Sequence, residues 1–366
     1  MAEKVIPVGA KFGSKWSSIF SEVTGPNPIE ELTCVREYEP EYGSSRTEFM
    51  YAAEAEPFFE TIFPLLHGAP RNDKEVPLAK SMYLLDKFGS WIMRSIPERS
   101  AVVSCIPMIK AQEGLKEMQQ TIRGLKVGPD EHKIGSVGLV FLGEAFTAAA
   151  GTIAMSEIMR SQTLSINFGS STIEIVFFSG IDNIHQNVFA VGGSDMDKSL
   201  TNAIEQAMSG YSATENQARA LKEMYDYETN AAVHHLLTYN GKIRQAHIRG
   251  DIIREIVDWH MDSVVEKVGS FLRDASRKNQ DAVNSLQING LGNLVLCGGM
   301  VNMPGFANEF YRRLTTTGGI SDKIPLHVPR NGVIAPAIGA RYIAEELEKK
   351  RISQNVETWN EIRRDL

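Results

Sequence analysis

The chain has 366 residues, 43% hydrophobic and 23% charged, which is the balance of a globular protein long enough for two domains with sizeable cores. A net charge of −7 excludes binding to nucleic acid, or to an anionic membrane, through bulk charge. No apolar stretch approaches the roughly 20 residues of a membrane span. The N-terminus "MAEKVIPVGAKFGS" lacks the apolar core of an export signal, and no terminal helix has the amphipathic pattern of a membrane anchor, so a cytoplasmic protein is expected. Cys34, Cys105 and Cys297 are far apart and without paired spacing; they are expected to be small buried hydrophobes in a reducing compartment.

Taken in chain order, "KVIPVGAKFGSKWSSIF" predicts strand, Gly-Ser turn, strand. Residues 27–71, broken by polar residues and prolines, suggest a small inserted subdomain. Leu78, Met82, Leu85, Phe88, Trp91 and Ile92 recur at helical spacing. "SAVVSCIPM" predicts a buried strand, followed by a helix over 111–125. "IGSVGLVFLGEAFTAAAGT" predicts another strand and a small-residue helix starting near Glu144.

In "LSINFGSSTIEIVFF" two buried strands flank a Gly-Ser-Ser turn, and "NVFAVGGSDMDKSL" predicts strand, Gly-Gly turn, helix. Residues 212–246 are polar and expected to be mainly helical, with a small hairpin at "YNGK". His234 and His235, adjacent in that stretch, are read as helix surface rather than metal ligands. A long amphipathic helix is expected after Asp251 as its N-cap, with a stripe through Ile253, Ile256, Val257, Val264, Val268 and Phe271. "NLVLCGGMVNMPGF" predicts strand, Gly-Gly turn, helix; "GVIAPAIGARYIAEELEKK" supplies a closing helix, and a polar, solvated tail ends the chain.

Strand–turn–strand units with Gly-Ser turns thus occur in both halves, each followed by strand–helix alternation, which is the pattern of a duplicated α/β unit. Two such domains facing each other would leave a cleft between the turns. The small residues there let backbone approach an anion, and their amides and hydroxyls are donors. The Gly-Gly turns at strand ends precede helix N-termini, whose amides and dipole favour an anion or a polar ring.

These motifs, in this order, resemble the actin-like branch of the superfamily that also holds sugar kinases and seventy-kilodalton heat-shock chaperones. "VGAKFGSKWSSI" and "INFGSSTIEI" resemble its two phosphate motifs, "FLGEAFTAAAGT" and "GVIAPAIGA" its connecting helices, and "VLCGGMVNMPGF" its adenosine motif. "GGSDMDKSL" is similar to a run in the shape-determining actin MreB; "YAAEAEPFFETIFPLLHG" and "ALKEMYDY" are similar to segments of the magnetosome-organising actin MamK.

The resemblance implies a two-domain actin-like α/β fold, with duplicated ribonuclease-H-like subdomains flanking a nucleotide cleft. Domain I would span 1–158 with its insert at about 27–71, and domain II 159–335 with an insert at about 200–250; 336–366 would return to domain I as a helix and tail. By resemblance, Gly13 and Ser14, with Lys15 beside them, and Gly169, Ser170 and Ser171 meet the β- and γ-phosphates of ATP or ADP, with GTP as an alternative. Glu144 matches the acid that positions the attacking water. Gly192, Gly193 and Asp195 lie by the ribose and α-phosphate, Lys222 flanks the nucleoside, and Gly298, Gly299, Met300 and Asn302 line the adenine.

The chain departs from the family where each phosphate turn begins. The two aspartates that organise Mg²⁺ are replaced by Lys11 and Asn167. A hard divalent cation prefers anionic oxygens, so a metal site is not expected there and hydrolysis should be slow or absent. Lys11 could pair with phosphate directly, fill the site, or, if the register were off by one, point to solvent. The resemblance implies a filament that assembles with itself, with an adaptor protein as a further partner. The alternative is a non-polymerising scaffold resembling PilM or FtsA; a phosphotransferase would need the missing acids.

Overall fold

The computed structural model describes residues 5–40, 47–58, 60–108, 112–128, 132–317 and 319–362. The main strands are β1 (Ile6–Phe12), β2 (Trp16–Ser21), β3 (Ile29–Leu32), β4 (Ser100–Ile106), β5 (Gly138–Gly143), β6 (Gln162–Phe168), β7 (Ile173–Ser179), β8 (Asp182–Phe189), β9 (Tyr211–Ser212), β10 (Val233–Tyr239), β11 (Lys242–Ile248), β12 (Asn293–Gly298) and β13 (Leu326–His327). The main helices are α1 (Leu78–Ile92), α2 (Gln112–Gly124), α3 (Glu144–Ala150), α4 (Gly193–Ala207), α5 (Glu215–Met224), α6 (Gly250–Ser276), α7 (Phe306–Thr316) and α8 (Ala335–Gln354). They form two compact units, 1–154 with 333–366, and 155–332.

In the first unit the strand order is β5-β4-β1-β2-β3. Strands β1, β2 and β3 form an antiparallel meander, and β1 pairs in parallel with β4, which pairs in parallel with β5. Every residue of β4 is buried, as expected of a strand covered on both faces. The alternation of β1 sends Val8, Ala10 and Phe12 into a core with Leu84, Leu85 and Phe88 of α1 and Met118 and Ile122 of α2. Ala340 and Ala344 of α8 join Ala101, Val103 and Cys105 in a second cluster.

The second unit repeats the connectivity, in the order β13-β12-β6-β7-β8. Again an antiparallel meander leads, and its first strand, β6, pairs in parallel with β12, which pairs in parallel with β13. Its core joins Leu164, Ile166 and Phe168 to Met196 and Leu200 of α4, to Ile253, Val257, Val264, Val268 and Phe271 of α6, and to α7. The Phe168 ring meets Phe306 and Phe310 edge-on, with centroids 5.2 and 5.0 Å away. A three-stranded sheet, β9-β10-β11, lies outside the main sheet of this unit. The duplicated α/β unit expected from the sequence is present, once in each of the two compact units.

Four local expectations are corrected. His234 and His235 lie on β10 and not on a helix, because residues 233–248 pair as a hairpin around Asn240-Gly241. Both turn residues have positive φ, 46° and 77°, as a two-residue hairpin turn requires. Helix α6 begins at Gly250 with Arg249 as N-cap, so Asp251 sits inside the first turn, where its charge favours the dipole. The chain end is not simply solvated. Glu348 and Arg351 form a buried bidentate pair at 2.7 and 2.8 Å, and buried Trp359 lies against Gly138, where a Cβ would meet its ring. Finally, the helix-N-terminal amides after Gly192 are not open to an anion, as described below. All three cysteines are buried and none is in a disulfide, in keeping with their expected role as small hydrophobes.

Candidate functional site

The two Gly-Ser turns begin at equivalent steps of the repeated unit. Lys11 is the penultimate residue of β1 and Asn167 the penultimate residue of β6. Lys11 stands opposite Cys105 in the parallel register, and Asn167 opposite Cys297. Even the thiol partners correspond: Cys105 Sγ donates to the carbonyl of Ala10 at 3.2 Å, Cys297 Sγ to that of Ile166 at 3.4 Å. This correspondence fixes the register, and no one-residue slip is needed or allowed.

Lys11 is buried, with 6% exposure, so the reading in which it points to solvent fails. Its ammonium donates to the carbonyl of Val333 at 3.3 Å and curls beneath the turn. A Cβ on Gly13 would meet the Lys11 Nζ at 3.6 Å and the carbonyl of Trp16 at 2.6 Å, so the turn is closed over the lysine by a residue without a side chain. Lys15 directs its ammonium over the ring of Phe63, 4.1 Å from the centroid. Glu144 opens α3 and is buried. Burial, and then the Glu144 carboxylate, push the Cys105 thiol far up, against the opposing pull of Thr147 and Lys11. Lys11, Cys105 and Glu144 therefore share one electrostatic neighbourhood within the first unit.

In the second unit the turn after β6, the start of α4 and Lys222 of α5 are brought together, the turn and helix joined by hydrogen bonds. Gly169 N–H donates to the carbonyl of Thr172 at 2.8 Å, closing the turn. The turn's carbonyls face α4: Gly193 N–H donates to Gly169 at 3.0 Å and Ser194 N–H to Ser170 at 2.6 Å. Asp195 accepts the N–H of Gly192 at 2.8 Å. The first amides of α4 are thus used internally, which corrects the expectation of an anion-ready helix end. Ser171 is buried beside Thr172.

Lys222, on α5, donates to the carbonyl of Gly193 at 2.8 Å and forms a buried ion pair with Asp197 at 2.5 Å. Asn167 is fully buried and accepts from Cys297 Sγ at 3.6 Å. Gly298 ends β12 at φ 92°, and a Cβ there would fall inside the carbonyl of Phe168. The following 3-10 turn, Gly299–Asn302, buries Met300 and sets Asn302 to accept from Gly332 N–H at 3.0 Å.

One residue of this assembly was missed from the sequence. His260 of α6 is 1% exposed, its Nε2 has no hydrogen-bond partner among the described residues, and its acidity is set first by burial and then by Lys222, which bring it down to about 4. Asp195 opposes that shift. The signal was available, since position 260 continues the 253-257-264 stripe.

The buried ammonium of Lys11 beneath Gly13 supplies the positive charge that an anionic phosphate would need. Lys11 and Asn167 do not suit a divalent cation, because neither offers an anionic oxygen. Among the described residues no group of three or more His, Cys, Asp or Glu is placed to hold a metal ion. No helix among them is long and apolar enough to cross a membrane.

The sequence matches the family described as Salactin over residues 5–348. No curated protein matches. Among solved structures, the chain is similar to a MamK double helical filament, with 15% identity, a TM-score of 0.73, and coverage of 93% of this chain and 99% of that one. It is also similar to MreB 5 of Spiroplasma citri bound to AMPPNP, with 15% identity, a TM-score of 0.72, and coverage of 97% and 100%. An archaeal actin homologue, Ta0583, matches at 16% identity and a TM-score of 0.57, covering 93% and 99%.

Proposed function

The chain belongs to the Salactin family, and on that footing we propose that it is a cytoskeletal actin-like protein that assembles with copies of itself into filaments and binds adenosine nucleotide with little or no hydrolysis. The observation that carries this reading is the equivalence of Lys11 and Asn167 in a duplicated actin-type unit. Both halves of the repeated unit are present, and the two positions that by resemblance to the actin-like superfamily would carry metal-organising acids hold Lys11 and Asn167 instead. One of the similar structures is named as a filament and another carries AMPPNP, which supports assembly and nucleotide binding as the place to look in this chain.

In this account the Lys11 ammonium, already buried and oriented by Val333, takes over part of the charge neutralisation that a cation would supply to phosphate. Glu144 remains able to orient a water, but orientation alone lowers only part of a hydrolytic barrier. Gly192, Gly193 and Asp195, whose amides and carboxylate are used internally, would line the ribose side without donating to phosphate, and Gly298, Gly299, Met300 and Asn302 would line the adenine, with Lys222 serving the nucleoside side through its hold on Gly193.

Sedimentation and electron microscopy with and without ATP test the function. Filaments that pellet are expected. A protein that stays monomeric under every nucleotide and salt condition, while still binding a protein partner, would replace this reading with that of a non-polymerising scaffold.

A further inference from the structure

The hairpin of β10 and β11 carries a pair of imidazoles that the proposed function does not use. His234 and His247 stand directly opposite each other in the antiparallel register. Both are exposed, their ring centroids lie 4.6 Å apart at 61°, and Nε2 of His234 is 3.1 Å from Nδ1 of His247. We infer that this pair is a binding site for one divalent transition cation that favours imidazole, Zn²⁺ or Cu²⁺, and that the ion clips the two strands of the hairpin together.

The spacing is what the inference rests on. Two imidazole nitrogens on one tetrahedral zinc, each about 2.0–2.1 Å from it, lie about 3.3 Å apart. The observed 3.1 Å needs an opening of a few tenths of an ångström and a turn of both rings so that their lone pairs converge on the ion, within the freedom of exposed side chains. The register is held by the two-residue turn at Asn240-Gly241, so the backbone keeps the two side chains opposite each other and their rotamers supply the final adjustment. The next pair along that face is Leu236 with Gln245, which brings no charge. Arg249, two residues beyond His247, is paired with Asp251 at 3.0 Å, which lessens its repulsion of a bound cation.

As it stands, one ring must donate and the other accept across the 3.1 Å contact. When the ion enters, the donating ring gives up that proton and takes one on its other nitrogen, so both facing nitrogens present lone pairs and no net proton is released. Two protein nitrogens leave the remaining coordination positions to water, which makes this an open site of moderate affinity for soft-to-borderline metals.

The test uses the full chain without a histidine tag, titrated with Zn²⁺ alone by calorimetry and with Cu²⁺ alone by electron paramagnetic resonance. One equivalent is expected, with two nitrogen ligands in the copper spectrum, and zinc is expected to slow amide exchange across 233–248. His234→Ala and His247→Ala should each weaken binding at least tenfold. His235→Ala, whose residue stands opposite Ala246 on the other face, should leave it unchanged. Binding that survives in the His234→Ala, His247→Ala double variant, binding lost equally in His235→Ala, or no binding by the native chain would each overturn the inference. Circular dichroism of the variants separates loss of ligands from loss of fold.

Discussion

His260 lends itself to a quantitative test, because its cost can be worked from its surroundings. It lies on α6, buried, with Lys222 of α5 and Lys267 of its own helix disfavouring its charged form and Asp195 of α4 favouring it. The ring is held down to about 4 from an ordinary 6.5. A histidine whose folded value is depressed stays neutral in the native state while the unfolded chain takes up a proton. Stability is therefore unaffected at higher pH and falls as pH drops through 6.5 toward 4. At about 1.4 kcal/mol per unit, the whole interval corresponds to about 3 kcal/mol, of which about 2 kcal/mol is lost between about pH 7.5 and about pH 5. Replacing His260 by Met keeps an apolar volume and removes the proton, so the variant should lose that part of the pH dependence. Histidine-selective NMR reads the titration directly, and amide exchange along α6 reads the stability. A ring that titrates between about 6 and 7, or a His260→Met variant with an undiminished pH slope, would refute the reasoning.

Three further outcomes are expected. Gly298→Ala should cost at least about 2 kcal/mol, because it combines a left-handed φ with a Cβ aimed at a backbone carbonyl; Gly25→Ala, at φ 79° with open space around it, should cost only about 1 kcal/mol in the same denaturant titration. Asp197→Ala should destabilise the second unit by about 3–5 kcal/mol by leaving the Lys222 ammonium uncompensated, whereas Asp197→Leu with Lys222→Met should recover much of that loss. Glu144→Gln should lower whatever ATP turnover the chain has by about a hundredfold without weakening nucleotide binding, measured as phosphate release beside calorimetry.

Much of the fold was legible because the repeated unit writes the same signals twice. Strands β1 and β6 show apolar runs that end in Gly-Ser turns, and β4 and β12 are continuous apolar segments, as strands covered on both faces must be. What escaped the sequence was non-local or ambiguous in period. Val233 and Leu237 are spaced by four, which suits a helix face and one side of a strand equally, and only the pairing of β10 with β11 decides for the strand. Trp359 sits in a polar tail, and nothing near it announces that Gly138, far away in sequence, leaves room for its ring. The amides of Gly193 and Ser194 would be open in an isolated strand–helix turn; they are closed by carbonyls of a different turn, a pairing that only the tertiary fold creates. His260 could be read only from its position on the α6 stripe, because its imidazole is not the apolar side chain that otherwise marks burial.

If Lys11 acts in place of a metal ion, nucleotide binding must not depend on Mg²⁺. Calorimetry of ATP binding, with Mg²⁺ and with EDTA, on the native chain and on the Lys11→Asp, Asn167→Asp double variant addresses it most directly. Native affinity that is indifferent to Mg²⁺, and a metal requirement that appears only in the double variant, are the predicted results. Tight, Mg²⁺-dependent binding and rapid turnover by the native chain would contradict it.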